Sequence, residues 1–417
     1  MLNINELYIN YLLNYYTKEE IGYRLPPEIK LEEFWPQLFH FRQGKGESLP
    51  FQDQQGQPFW FASTPELQKN LHEIDSRGKD SLYRSVQREL QTELIQQALI
   101  EEALFSSVIE GAFSTLARAR ELILEGKRPR DTSEQMIKNN AIVMRYVLEQ
   151  RHLPCSIALM HEIQRRVTES TLQDERGSGH FRESLVYIYN ANGEIVYTAP
   201  SVESVEPAMQ SLIQWINHEE KRPFIHPILC AVIIHTYFVY VHPYVDGNGR
   251  TARSLFYWYL LKNGYEFFRY FSISSIIQET RSRYYKALKD MEDYGADMTY
   301  VLLYISEAII RAIDVVLGRI LERHRRYLLF SAIRSRQIDL HKRHLTFLKY
   351  LTRSKDKRIT IAKYQRDFRV VYETARRDLA LLEQIGILAK CKRSRQFIYT
   401  LNPSFLMQGV SSHVKSK

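Results

Sequence analysis

The window His242-Pro243-Tyr244-Val245-Asp246-Gly247-Asn248-Gly249-Arg250-Thr251-Ala252-Arg253 places an acid/base group, a carboxylate, two glycines, an amide and two arginines in one run. A histidine titrates near neutral pH and can take a proton from a hydroxyl nucleophile. Gly247 and Gly249 permit tight turning and close backbone approach to a ligand. If a helix starts at this turn, its first free N–H groups form an anion site. Arg250 and Arg253, three apart, share a face of that helix. Cations are disfavoured at a helix N-terminus, and a bound polyphosphate would resolve the conflict. Asp246 beside the turn suits Mg²⁺ bridging phosphates, because Mg²⁺ uses one or two carboxylates plus substrate oxygens. The set points to nucleotide-dependent group transfer, with His242 as the base.

Helices must hold this window. Apolar residues of Ile228–Val241 predict a helix that Pro243 stops at or near His242. Asn248 is expected to cap the next helix, whose apolar positions run through Ser254–Leu261. Helical periodicity also marks Leu90–Ile109, Ala141–Leu148, Ile157–Val167 and Met209–Ile216. Residues 185–189 and 194–197, joined by Asn190-Ala191-Asn192-Gly193, instead read as a β-hairpin. A lone hairpin must lie against the helices and leaves an edge open to another chain.

The chain has 417 residues, enough for two or three domains. Of its 57 Lys/Arg and 48 Asp/Glu, residues 331–417 hold 20 and 6, so that segment carries +14 and the remainder −5. Such asymmetry suggests a nucleic-acid-facing module or a solvated basic face. The three cysteines, Cys155, Cys230 and Cys391, are widely spaced, which disfavours a disulfide framework or zinc site and fits a reducing compartment. The N-terminus lacks a signal-peptide pattern and no run is long enough to span a membrane, so a cytoplasmic location is expected.

The central window resembles the signature of the Fic family, H-P-F-x-D-G-N-G-R-x-x-R, with Tyr244 in place of Phe. The resemblance covers roughly residues 90–320. His226-Pro227 through His235 and Phe238 look like the preceding helix. Gly179-His180-Phe181-Arg182 and the hairpin look like the family's flap, which aligns a target segment by strand addition. Tyr284-Tyr285-Lys286-Ala287-Leu288 looks like the segment lining the adenine pocket. The resemblance implies transfer of AMP from ATP to a Ser, Thr or Tyr hydroxyl of a target protein bound along 185–198. It implies that His242 is the base, Asp246 the Mg²⁺ ligand, Gly247, Asn248 and Gly249 the anion hole, Arg250 a phosphate contact and Arg253 the γ-phosphate clamp. Gly249 stands where the phosphotransferase branch has Lys, which favours AMP transfer. His161 and His235 match family positions and are read as structural.

Ser106 and Glu110, four apart, share a helical face, and Gly111 is a plausible stop. Beside the central window they resemble the family's inhibitory helix, S-x-x-x-E-G. By that resemblance Glu110 pairs with Arg253 and blocks productive ATP placement, and it could also position a water that removes AMP.

The expected fold is mainly α: an all-helical Fic core with a β-hairpin flap, a small N-terminal domain and a C-terminal winged helix. The divisions are 1–82, helical and aromatic-rich; 83–320, the catalytic core with the inhibitory helix; 321–337, a linker within a long helix of 299–335; 338–402, a winged helix-turn-helix; and 403–417, a tail. In the winged helix, Thr374, Arg376, Arg377, Lys392, Arg393 and Arg395 could contact DNA through 360–400, and the alternative is protein docking. Two other functions stay open: a nucleotide-sensing DNA-binding regulator, and an enzyme that moves another phosphate-containing group or removes AMP. A homodimer is also open.

Overall fold

The computed structural model describes residues 4–83, 88–189, 192–353, 358–393 and 396–407. They form two compact units, Met1–Asp314 and Val315–Lys417.

The first unit is built around Pro227–Val241, a helix apolar on nearly all sides and therefore central rather than amphipathic. Pro227 occupies its first turn, where the missing N–H costs nothing, and the His226 ring accepts from the Ile228 N–H at 3.3 Å. It packs lengthwise on Asn248–Lys262, which is buried from Thr251 through Leu261. Each fully buried Leu, Ile or Phe in this pair contributes about 1.5–3 kcal/mol, so the pair is a rigid mount for the turn between its helices. Thr132–Glu149, Ile157–Thr168 and Val202–Asn217 pack around the pair. The helix Arg88–Ile109 lies against Thr132–Glu149 and Ile273–Glu279.

Residues 4–75 have a small core of their own, in which Tyr11, Ile21, Phe34 and Leu38 meet. They also carry an antiparallel hairpin, β1 (Glu47–Gln52) with β2 (Pro58–Phe61), in a region expected to be helical. Asp53 makes the turn by accepting the N–H groups of Gln55 and Gln57, and Gly56 closes it at φ 77°. Phe51 and Phe59 pack on Tyr237, with ring centroids 4.4 and 5.5 Å apart, so this segment belongs to the same compact unit as the central helices.

The expected flap hairpin is present as β3 (Tyr187–Tyr189) and β4 (Ile195–Thr198), with Tyr187 opposite Thr198 and Ile188 opposite Tyr197. Its turn residues Asn190 and Ala191 lie outside the described residues.

The long helix runs Thr299–Ser335. In the second unit its end packs, through Leu329 and Ala332, with the helices Lys342–Arg353, Ile361–Phe368 and Tyr372–Gln384. A three-stranded antiparallel sheet completes the unit. β5 (Arg358–Ile359) pairs with β7 (Gln396–Leu401), which pairs with β6 (Leu388–Arg393). The two-residue strand β5 was not expected. Buried Asp378 ties the helices together by accepting from Arg343, His344 and the Tyr364 hydroxyl. Arg395, and the tail from residue 408 on, lie outside the described residues.

Candidate active site

The central helix ends on His242 in the left-handed conformation, φ 51°, ψ 59°, immediately before Pro243. A non-glycine residue there is uncommon and strained, and such strain concentrates at functional sites. The ring Nδ1 lies 3.3 Å from the Val239 carbonyl. A carbonyl can only accept, so this contact assigns the proton to Nδ1 and leaves the Nε2 lone pair free. Burial lowers the His242 pKa below the usual histidine range, against the Val239 contact and Glu110, which raise it. The imidazole is therefore neutral at pH 7, as a general base must be.

The turn after His242 differs in one respect from its expected construction. Gly247, at φ 81°, takes the N-cap position of Asn248–Lys262, and Asn248 is the first helical residue rather than the cap. The Asn248 amide is engaged elsewhere, accepting from the Tyr244 N–H at 2.9 Å and donating to the Tyr244 carbonyl at 2.7 Å. It staples the turn shut instead of capping the helix. A methyl group at Gly247 would meet Thr168 Cγ2 at 2.8 Å, so the position excludes side chains by conformation and by space. Tyr244 is buried, with its hydroxyl 2.9 Å from His161 Nδ1.

Asp246 Oδ1 accepts from the Gly247 N–H at 2.6 Å, and Oδ2 lies 3.3 Å from Arg250 Nη2. Its side chain is 51% exposed, so carboxylate oxygen remains open toward solvent beside the turn. Arg250 is fully buried, donates Nη1 to the Val167 carbonyl at 3.0 Å, and leaves Nε without a partner. The two arginines thus start from one helical face and diverge. Arg253 turns to the helix Arg88–Ile109, giving Nε to the Ser106 hydroxyl at 2.7 Å and Nη2 to the Ser106 carbonyl and to Glu110 Oε1, both at 2.8 Å.

Glu110 sits just past that helix, and Gly111 follows at φ 95°. Its carboxylate lies directly over Gly249, where a methyl group would collide with it. Burial pushes the Glu110 carboxyl up, but Arg253, Arg250 and His242 outweigh burial and hold it below the usual carboxylate range. The carboxylate therefore occupies the mouth of the anion turn as a charged group.

Tyr284 is buried with its hydroxyl 2.9 Å from His235 Nε2, while Tyr285 is 45% exposed, its ring 5.3 Å from that of Tyr284. His235 is fully enclosed, and burial drops its pKa to about 3, so it stays neutral.

Three participants were not singled out as site residues from the sequence. Arg182, 2% exposed, donates Nε to the His242 carbonyl at 2.9 Å and Nη1 to the Ser184 carbonyl at 3.0 Å, and also reaches the Pro200 carbonyl. Ser184 and Pro200 flank β3 and β4, so one guanidinium fastens both feet of the hairpin to the residue expected to act as base. Glu102, on the helix that carries Ser106, accepts from Tyr257, Ser272 and Ser274 and pins that helix to the core. Arg281 donates to the Ile109 carbonyl at 2.9 Å, fixing the same helix at its end.

Residues 154–260 match the family model described as the Fic/DOC family. The chain carries a Fic domain. It is homologous to the protein adenylyltransferase Fic of Drosophila melanogaster, 29% identical over 230 residues that make up 53% of this chain and 43% of that protein. The Drosophila grimshawi protein of the same description is 27% identical over 230 residues, 53% of this chain and 44% of its own. The chain thus spans less than half the length of these curated relatives. Among solved structures, a Fic family protein from Desulfovibrio desulfuricans G20 covers 82% of this chain and 97% of its own at TM-score 0.51 and 18% identity. Fic-1 from C. elegans (residues 134–508) covers 61% of this chain and 72% of its own at TM-score 0.51 and 22% identity. Both likenesses concern the fold, which is the mainly helical Fic fold. No helix among the described residues is long and apolar enough to cross a membrane.

Proposed function

We propose that this protein is a Mg²⁺-dependent protein adenylyltransferase that moves AMP from ATP to a hydroxyl side chain, and that Glu110 holds it in a self-inhibited state. The observation that carries the reading is the anion turn Gly247–Arg253, lying beside a histidine whose Nδ1 faces a carbonyl and whose Nε2 is free. In this reading His242 Nε2 takes the proton of the target hydroxyl. The hydroxyl oxygen bonds to the α-phosphorus of ATP, the bond from that phosphorus to the bridging oxygen breaks, and pyrophosphate leaves. Gly247, Asn248 and Gly249 present the turn to the phosphates, Arg250 adds charge, and Arg253 receives the γ-phosphate once Glu110 lets go. Tyr284 and Tyr285 line the adenine side. Among the described residues no three His, Cys, Asp or Glu cluster as a metal cage. Asp246, half-exposed beside the turn, would hold Mg²⁺, which would supply charge neutralisation on the phosphates when bound.

The flap supports a protein target. Tyr189, Ile195 and Val196 are 57, 54 and 58% exposed, which suits an edge that receives an extended segment. For the second unit we read a winged helix that binds DNA. The supporting observation is the exposure of Arg376 and Arg377 on Tyr372–Gln384 and of Lys392 and Arg393 on β6. A salt-sensitive gel shift lost in Arg376→Ala/Arg377→Ala tests that reading, and no shift at low salt rejects it.

Label transfer to lysate proteins tests the enzymatic reading. The Glu110→Gly variant is compared with α- and γ-labelled ATP, and with His242→Ala added. Transfer of the α-label alone, abolished by His242→Ala, is expected. Transfer of the γ-label would replace AMP transfer with phosphate transfer, and nucleotide binding without transfer would favour a nucleotide-sensing regulator.

A further inference from the structure

The second unit contains a groove distinct from the face just discussed. Along Thr299–Ser335, Arg323 lies three and four residues before Arg326 and Tyr327, these lie four and three before Phe330, and Arg334 follows four on, which puts all five on one stripe of that helix. Lys349 of Lys342–Arg353 faces the stripe, and together they line an open groove of about 600 Å³. No Asp or Glu among the described residues lines it. Among the described residues Arg326, Arg334 and Lys349 have no carboxylate partner. Phe330 rests against the core of the unit, whereas Tyr327 stands 64% exposed between the cations.

A solvated basic face does not need this arrangement. Such faces interleave acids with bases and gain nothing from an exposed aromatic ring. Arg326, Arg334 and Lys349 call for an anion with several charges along the helix, and from Arg326 to Arg334 the stripe runs about 12 Å. The exposed ring calls for a flat apolar partner. A polymer of planar bases joined by phosphates supplies both. In a duplex the bases are stacked inside and offer no face to Tyr327, whereas a single strand does. We propose that this groove binds single-stranded nucleic acid, with one base stacked on Tyr327 and neighbouring phosphates held by Arg326, Arg334 and Lys349. The proposal stands apart from the transfer site and from DNA binding by Tyr372–Gln384.

Fluorescence anisotropy on the full chain tests it. The probes are a labelled mixed-sequence strand of about fifteen nucleotides as DNA and as RNA, the matching duplex, and labelled ATP. Salt-sensitive binding of the strand is expected, weakened about 5- to 150-fold by Tyr327→Ala and restored by Tyr327→Phe, which keeps the ring. Arg326→Glu/Lys349→Glu is expected to weaken it further and flatten its salt dependence. Arg376→Ala/Arg377→Ala should leave strand binding within about twofold, because surface changes away from a site act locally. Far-UV circular dichroism checks that each variant folds. Absence of strand binding at low salt overturns the proposal. So does a duplex bound equally well with Tyr327→Ala silent, which marks a merely basic surface. Dependence on Arg376 and Arg377, or a Tyr327-dependent site for ATP that ignores the strand, overturns it as well.

Discussion

Replacing Glu110 tests the proposed brake directly. Its carboxylate makes a 2.8 Å charge-assisted hydrogen bond to Arg253 and lies over Gly249. The Arg253 side chain is 6% exposed and that of Glu110 29%, so the contact is partly shielded from water. A hydrogen bond to a charged group contributes about 1.5–3 kcal/mol. If that is the whole preference for the closed arrangement, about 1–8% of molecules are open to the γ-phosphate at any moment. Glu110→Gly should then raise transfer at subsaturating ATP about 10- to 150-fold, since 1.4 kcal/mol corresponds to tenfold. Glu110→Gln keeps the shape and loses the charge, so it should fall between wild type and Glu110→Gly. The assay is initial-rate transfer of α-label with Mg²⁺, at ATP concentrations spanning KM. Equal rates for all three proteins would refute the argument. A gain confined to saturating ATP would also refute it, because competition for one guanidinium must act on apparent ATP affinity.

The pH dependence has a worked sign. Burial lowers the His242 pKa, so the base stays unprotonated to below the ordinary histidine value of 6.5, and the acid limb of transfer by Glu110→Gly should fall below pH 6.5. Glu110 is among the groups raising that pKa, so the limb of the wild type should lie above that of the variant, and the reverse order in a pH–rate series would contradict the assignment. The Glu110 carboxyl is itself held below its ordinary 4.5, so pairing with Arg253 persists through neutral pH and weakens only in acid, and no release between pH 6 and 8 is expected. Arg182→Ala strips donors from the His242, Ser184 and Pro200 carbonyls, and the buried Pro200 acceptor left unmet costs about 1–3 kcal/mol. In the Glu110→Gly background kcat should drop at least about tenfold while KM for ATP moves less than about threefold, and an effect on KM alone would show that Arg182 does not position the base.

How much of this was readable beforehand depends on where each partner lies in the chain. The residues His242 to Arg253 announce their chemistry because base, carboxylate and anion turn are adjacent, and the helices holding them follow from apolar runs. The cap was misassigned to Asn248 because its capping propensity is local, whereas the amide is consumed by Tyr244 in the folded turn. Glu110 meets Arg253 across 143 residues, and periodicity shows only that Ser106 and Glu110 share a face. Arg182 was quoted only as part of a flap segment, since nothing in its neighbours marks an arginine that will be buried among carbonyls. β5 has two residues, too few for any alternation to show. The β1–β2 hairpin was hidden by Pro50 and by a register irregularity between Ser48 and Gln52, which break its alternation.

The arginines of the anion turn also make the proposed brake a matter of stability. Positive charge near a helix N-terminus is unfavourable, and Arg250 in the first turn and Arg253 in the second are both buried. In the structure Glu110 supplies the compensating negative charge that a phosphate would otherwise bring. Removing one partner of a buried pair costs about 3–5 kcal/mol. Arg253 keeps two bonds to Ser106, so the cost of Glu110→Gly should lie toward the lower end or under it. At about 2–4 °C per kcal/mol for a unit of this size, the first unit should melt some 5–10 °C lower. ATP with Mg²⁺ should then return more stability to the variant than to the wild type. At a hundred times its Kd a ligand adds about 2.7 kcal/mol, and the wild type must first give up the Glu110 contact to gain it. Differential scanning calorimetry with and without ATP reads both quantities. If ATP raises the two melting temperatures equally, carboxylate and phosphate do not compete for Arg253, and the inhibitory role assigned to Glu110 has no thermodynamic basis.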